Sequence, residues 1–179
     1  MTHANLITYL RITLIPLMVI IFFLDFEYVN YYVTLIFSIA AITDYLDGNV
    51  ARKMNQVTKL GKFLDPVADK LLVITSLLLI LFDNNNLIFF IPICIIVLRE
   101  VLISALREWA ALENIKDQAQ VNNVGKIKTS FQMISIGFLL FGEPIFKIDL
   151  NVIGLYGIYI AAFLSLISMI IYLRNVSRS

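Results

Sequence analysis

Between Thr43 and Lys70 the chain reads TDYLDGNVARKMNQVTKLGKFLDPVADK, and four aspartates, Asp44, Asp47, Asp65 and Asp69, sit inside or against sequence otherwise apolar enough to lie in a membrane. An Asp at the centre of a membrane helix costs about 2.5–3.5 kcal/mol on insertion scales. Any fold open to this chain has to give four such groups a purpose. Asp44 and Asp47 are three apart and Asp65 and Asp69 four apart, so each pair shares a face if its stretch is helical. Antiparallel helices joined by the polar turn from Arg52 to Gly61 would put Asp44 and Asp69 about 12 Å in from that turn. Asp47 and Asp65 would face each other nearer the water. Two carboxylate pairs so placed form an oxygen-rich cup, the donor set that hard divalent cations prefer.

The rest of the chain supplies the helices. With 60% hydrophobic residues, 15% charged residues and a mean hydropathy of +0.87, residues 1–179 read as a single membrane-embedded domain. Apolar stretches at roughly 8–26, 31–51, 63–82, 87–109, 127–142 and 151–173 approach the ~20 residues a bilayer asks of a helix. The expected fold is therefore all-α, with six transmembrane helices. Of fourteen Lys and Arg residues, only Lys147 falls outside the N-terminus, the second and fourth connections with their flanks, and the C-terminus. That bias places both termini and the aspartates on the cytoplasmic side. The first apolar run lacks a small-x-small site and leads into Asp25-Phe26-Glu27, so it reads as a retained span rather than a cleaved leader. Tyr28, Tyr31, Tyr32 and Trp109 lie at span ends, as interfacial aromatic belts do. A net charge of +1 excludes the basic excess that nucleic acid would call for.

Asp44-x-x-Asp47-Gly48-x-x-Ala51-Arg52, then eight residues, then Gly61-x-x-x-Asp65-x-x-x-Asp69 resembles the full signature of the CDP-alcohol phosphotransferase family. The resemblance implies a CDP-linked donor, a hydroxyl acceptor and release of CMP. It implies that Asp44, Asp47 and Asp65 bind metal, that Asp69 both binds metal and serves as base toward the acceptor, and that Arg52 meets the donor phosphates. Two divalent ions, Mg²⁺ or Mn²⁺, suit a diphosphate donor because such a pair can clamp a pyrophosphate and stabilise the departing phosphate. Gly48 and Gly61 remove side chains where a ligand or backbone would clash, and Ala51 keeps the same face open. Pro66 leaves two possibilities: a helix beginning there with Asp65 as N-cap, or an earlier start with a kink.

A second set of unusual residues follows: Arg99, Glu100, Arg107 and Glu108 in the fourth span, and Gly125, Lys126, Lys128 and Thr129 opening the fifth. Arg99 is deep enough that it must pair with an acid or bind an anion; Glu100 is the candidate acid, although adjacent helix positions do not face each other. A basic pocket beside a metal site points to a phosphorylated acceptor, hence glycerol 3-phosphate. These segments, with Asn5-x-x-Thr8-x-x-Arg11, resemble the phosphatidylglycerophosphate synthase branch, whose donor is CDP-diacylglycerol. Asn5, Thr8 and Arg11 share one side of a short interfacial N-terminal helix. Asn5 and Thr8 then belong with the donor site, and Arg11, Arg99, Arg107, Lys126 and Lys128 with the acceptor phosphate. The last span adds nothing specific to the site; its Gly154, Gly157 and Ala161 suit close helix packing, within the chain or in a homodimer. Rival readings are a family member using serine, phosphatidylglycerol or an inositol phosphate, and a divalent-cation transporter. The third span continues beyond Lys70 with only Thr75 and Ser76 as polar residues before Asp83, which offers an ion little path.

Overall fold

The computed structural model describes residues 3–24, 26–54, 59–113 and 123–176; for 3–7, 44–54, 59, 60, 62, 123, 124, 126 and 176 the backbone alone is described. Six helices account for nearly all of it: α1 (His3–Phe22), α2 (Val29–Met54), α3 (Lys59–Asn84), α4 (Leu87–Leu112), α5 (Asn123–Phe141) and α6 (Leu150–Val176). Each coincides with one apolar stretch of the sequence, its ends displaced by about a turn at most.

The connections show why the helices stop where they do. Asn85 adopts a left-handed φ of 39° and its N–H reaches Leu81 O at 3.0 Å, the αL ending that Asn tolerates better than most residues. Asn86 then caps α4, its side chain accepting from Ile88 N at 3.1 Å. Gly142, at φ 69°, ends α5, and Asn151 Nδ2 donates to its carbonyl at 2.7 Å. Asp149 caps α6 by accepting from Asn151 N at 2.9 Å.

Two expectations change. The stretch holding Asn5, Thr8 and Arg11 is not a separate interfacial helix; it forms the first turns of α1, because no Gly or Pro interrupts the chain before Pro16. Asp65 is not an N-cap, because α3 begins at Lys59 and carries Pro66 inside it. The carboxylates of Asp65 and Asp69 therefore project from one continuous helix face, one turn apart.

Helix α1 packs on α2 and α3, α2 on α5, α3 on α4 and α5, and α6 on α4 and α5. All six contribute to one apolar core, including Met18, Phe37, Leu77, Ile96, Ile136 and Ile158. Unlike a water-soluble bundle, the molecule is also broadly apolar on its outside and buries several charged and polar side chains. Ile20, Phe82, Leu98, Ile134, Phe163 and Ile170 are exposed, while Arg11, Arg99, Lys128, Gln132, Ser165 and Ser168 are buried. Among the described residues, two helical stretches, Leu87–Leu112 and Leu150–Asn175, are long and apolar enough to cross a membrane.

The small residues of α6 serve contact within the chain. A Cβ at Gly154 would stand 2.7 Å from Leu139 Cγ, and one at Gly157 2.1 Å from Ser135 Oγ, so both glycines let α6 lie directly on α5. Gly157→Val is expected to force the two helices apart, an overpacking cost of about 1–3 kcal/mol or more. The check is thermal stability in detergent; an unchanged melting temperature would show that α5 and α6 do not depend on this approach.

Candidate active site

Helix α3 carries the site's centre. Its face presents Asp65 and Asp69, and α1 meets both. Thr8 Oγ1 donates to Asp65 Oδ1, and Arg11 Nη1 donates to Asp69 Oδ1 at 2.7 Å. The three-residue step from Thr8 to Arg11 matches the four-residue step from Asp65 to Asp69, so one helical turn reads another. Arg11 is 1% exposed and Asp69 44%, so the guanidinium backs a carboxylate that opens outward. Arg11, expected at the acceptor phosphate, thus stands behind Asp69 and is not among the residues lining the cleft described next.

Asp69 opens into a cleft of about 300 Å³ between α3, α4, α5 and α6. Lys70 from α3, Arg99, Glu100 and Arg107 from α4, Lys128 and Gln132 from α5, and Ser168 and Tyr172 from α6 stand around it. Arg99, Arg107 and Lys128, separated by up to 29 residues in sequence, therefore share one wall with Asp69.

Glu100 organises these cations. It accepts from Lys128 Nζ and, at 3.3 Å, from Arg99 Nη1. Arg99 Nη2 also donates to Ser168 Oγ at 3.0 Å. Adjacent helix positions do meet here: both side chains are long enough to turn toward the one polar region within reach, and the apolar surroundings give neither an alternative. Arg107 differs. Its guanidinium lies 5.9 Å from the centre of the Tyr172 ring, a cation–π distance, and it has no acidic partner among the described residues. It is exposed toward the opening, as a residue receiving an incoming anion would be. Lys70 Nζ donates to Ser104 Oγ, joining α3 to α4 beside the cleft.

The α6 wall was not expected. Ser168 and Tyr172 are four apart and share a face, a faint polar period in an otherwise apolar helix. Gly61 is buried in the first turn of α3 and does not line the cleft. The side chains of Asn5, Asp44, Asp47, Gly48, Ala51, Arg52 and Lys126 lie outside the described residues, although the backbone of α2 is helical through the first aspartate pair. Among the described residues no cluster of three metal-ligating side chains occurs. Asp65 and Asp69 nevertheless fit a hard divalent cation: they are all-oxygen donors one turn apart. A carboxylate that accepts one hydrogen bond retains further lone pairs.

A family model for CDP-alcohol phosphatidyltransferases matches residues 1–172. A Wigglesworthia glossinidia brevipalpis protein is 40% identical, over 90% of this chain and 88% of its own length. Proteins of Salmonella choleraesuis and Haemophilus influenzae are 41% and 43% identical, each over 94% of this chain and 91% and 89% of their own lengths. All three relatives bear the name CDP-diacylglycerol–glycerol-3-phosphate 3-phosphatidyltransferase.

Proposed function

The chain belongs to the CDP-alcohol phosphatidyltransferase family, and from that premise we propose that it transfers a phosphatidyl group from CDP-diacylglycerol to glycerol 3-phosphate, giving phosphatidylglycerol phosphate and CMP. The observation that carries the acceptor assignment is the cleft: Asp69 shares it with Arg99, Arg107 and Lys128. A base and a phosphate-binding wall in one cavity of about 300 Å³ suit a small acceptor that is itself a phosphate. Serine offers no phosphate to such a wall, and phosphatidylglycerol brings two acyl chains to a polar cavity.

In this reading Asp44, Asp47, Asp65 and Asp69 would hold two divalent cations, Mg²⁺ or Mn²⁺, which when bound neutralise the pyrophosphate of the donor. Asn5, Thr8, Gly48, Ala51, Arg52 and Gly61 belong to the donor side. Arg107, with Lys126 at the mouth of α5, takes the acceptor phosphate, and Arg99 and Lys128 lend charge while held by Glu100. Asp69 accepts the proton of the primary hydroxyl, whose oxygen attacks the phosphorus next to the diacylglycerol. The bond from that phosphorus to the CMP oxygen breaks, and CMP leaves with the electron pair. Thr8 and Arg11 fix the two α3 carboxylates from behind. Residues 1–179 act as one domain with six spans in a bacterial inner membrane. Termini and cleft face the cytoplasm, as the distribution of Lys and Arg supports.

Purified protein given CDP-diacylglycerol and, in turn, glycerol 3-phosphate, serine, inositol phosphate and phosphatidylglycerol should release CMP with the first alone. Removal of divalent cations by a chelator should stop release, and Mg²⁺ or Mn²⁺ should restore it. Release with serine alone would transfer the chain to another branch of the family, and full activity in chelator would remove the metal assignment. Arg107→Ala is expected to raise KM for glycerol 3-phosphate about tenfold or more, the worth of a charged hydrogen bond, with KM for CDP-diacylglycerol unchanged. The opposite pattern would relocate the acceptor pocket.

A further inference from the structure

The hydrogen-bonding inventory of the cleft is lopsided. Lys70, Arg99, Arg107 and Lys128 only donate. Among its charged side chains Asp69 and Glu100 accept. Glu100 is engaged by both Arg99 and Lys128, and the proposed reaction uses Asp69 for the primary hydroxyl. Beside the hydroxyls of Thr129, Ser168 and Tyr172 and the exposed Asn175, the lining holds one buried amide, Gln132, one turn beyond Lys128 on the same face of α5 and 2% exposed. Its Oε1 has no hydrogen-bond partner among the described residues. A buried amide oxygen left without a donor is costly, and the cleft it lines is the place from which a ligand can bring one.

Glycerol 3-phosphate has three polar features: a phosphate, which only accepts; the primary hydroxyl, which reacts; and a secondary hydroxyl between them. The cations serve the first and Asp69 the second. The third needs an acceptor between the phosphate wall and the base. We propose that Gln132 Oε1 accepts the hydrogen bond of this secondary hydroxyl, and that Gln132 thereby selects glycerol 3-phosphate against phosphorylated primary alcohols lacking it. The amide is suited to this task because it is neutral: a carboxylate there would add a negative charge where the phosphate has to bind. Tyr172, whose buried hydroxyl likewise has no partner among the described residues, lies on the facing wall beneath Arg107.

The inference rests on the glycerol 3-phosphate reading, and its test separates the two. Full-length protein in detergent with CDP-diacylglycerol is assayed for CMP release with glycerol 3-phosphate and with 3-hydroxypropyl phosphate, which differs only in lacking the secondary hydroxyl. The wild type should favour glycerol 3-phosphate by about tenfold to hundredfold in kcat/KM. Gln132→Met, close in volume but without the amide, should lower kcat/KM for glycerol 3-phosphate by a similar factor and leave that for 3-hydroxypropyl phosphate within about twofold, erasing the preference. Both acceptors are measured on one preparation, so a loss of folded protein cancels from the ratio. A wild type that uses both acceptors equally overturns the role of Gln132 without any variant, and so does a Gln132→Met enzyme that keeps the wild-type preference. A wild type that releases CMP with neither, yet does so with serine, overturns the function itself.

Discussion

Asp69→Asn is expected to lower turnover by at least about a thousandfold, because in the proposed reaction the substitution would remove the general base and weaken a metal ligand at one stroke. Affinity for CMP should survive within a few-fold. The asparagine carbonyl can still accept from Arg11, so α1 keeps its place, and Asp44, Asp47 and Asp65 remain for the donor side. The informative comparison pairs kcat with equilibrium binding of labelled CMP. Turnover within tenfold of wild type would mean that some other group takes the proton. Loss of CMP binding together with turnover would make Asp69 chiefly a metal ligand.

Glu100→Gln should be the most destabilising single substitution in the cleft wall. One carboxylate neutralises two buried cations, Arg99 and Lys128, and a neutral amide leaves both in a region with no other described acid within salt-bridge distance. Breaking a buried ion pair from one side costs about 3–5 kcal/mol. The expected result is a large fall in melting temperature or in the yield of folded protein in detergent. High concentrations of phosphate should partly reverse it, because an anion in the cleft replaces the missing charge. A Glu100→Gln protein as stable as wild type would mean that the two cations are held by something other than Glu100.

The six helices and the aspartate-bearing α3 face were legible because long apolar stretches announce helices by their length, and because carboxylates in apolar sequence stand out against their cost. The grouping of Arg99, Arg107 and Lys128 was legible for the same reason. What α1 does was less so. Thr8 and Arg11 meet Asp65 and Asp69 across 57 and 58 residues, and nothing local distinguishes an arginine that binds a ligand from one that backs a carboxylate. Glu100 stood as the candidate partner of Arg99 against the geometry of adjacent positions, which describes where Cβ atoms point and not how far long side chains reach. Gln132, Ser168 and Tyr172 carry no charge, so their burial against the cleft is a fact of tertiary packing that hydropathy does not register. Gly154 and Gly157 were read correctly as packing residues, and contact with Ser135 and Leu139 shows that α5 takes them.

The Lys70 to Ser104 bond fastens α3 to α4 beside the cleft, and Asn85 and Asn86 join the same two helices at their far ends. Tied at both ends, this hairpin carries both the proposed proton acceptor, Asp69, and the cleft arginines Arg99 and Arg107. The sixth helix is joined to α4 at this level by the Arg99 to Ser168 bond and the packing of Arg107 over the Tyr172 ring. A phosphate drawn to Arg107 would compete with that ring, so the cleft's hold on an acceptor would be set against one of its ties to the sixth helix.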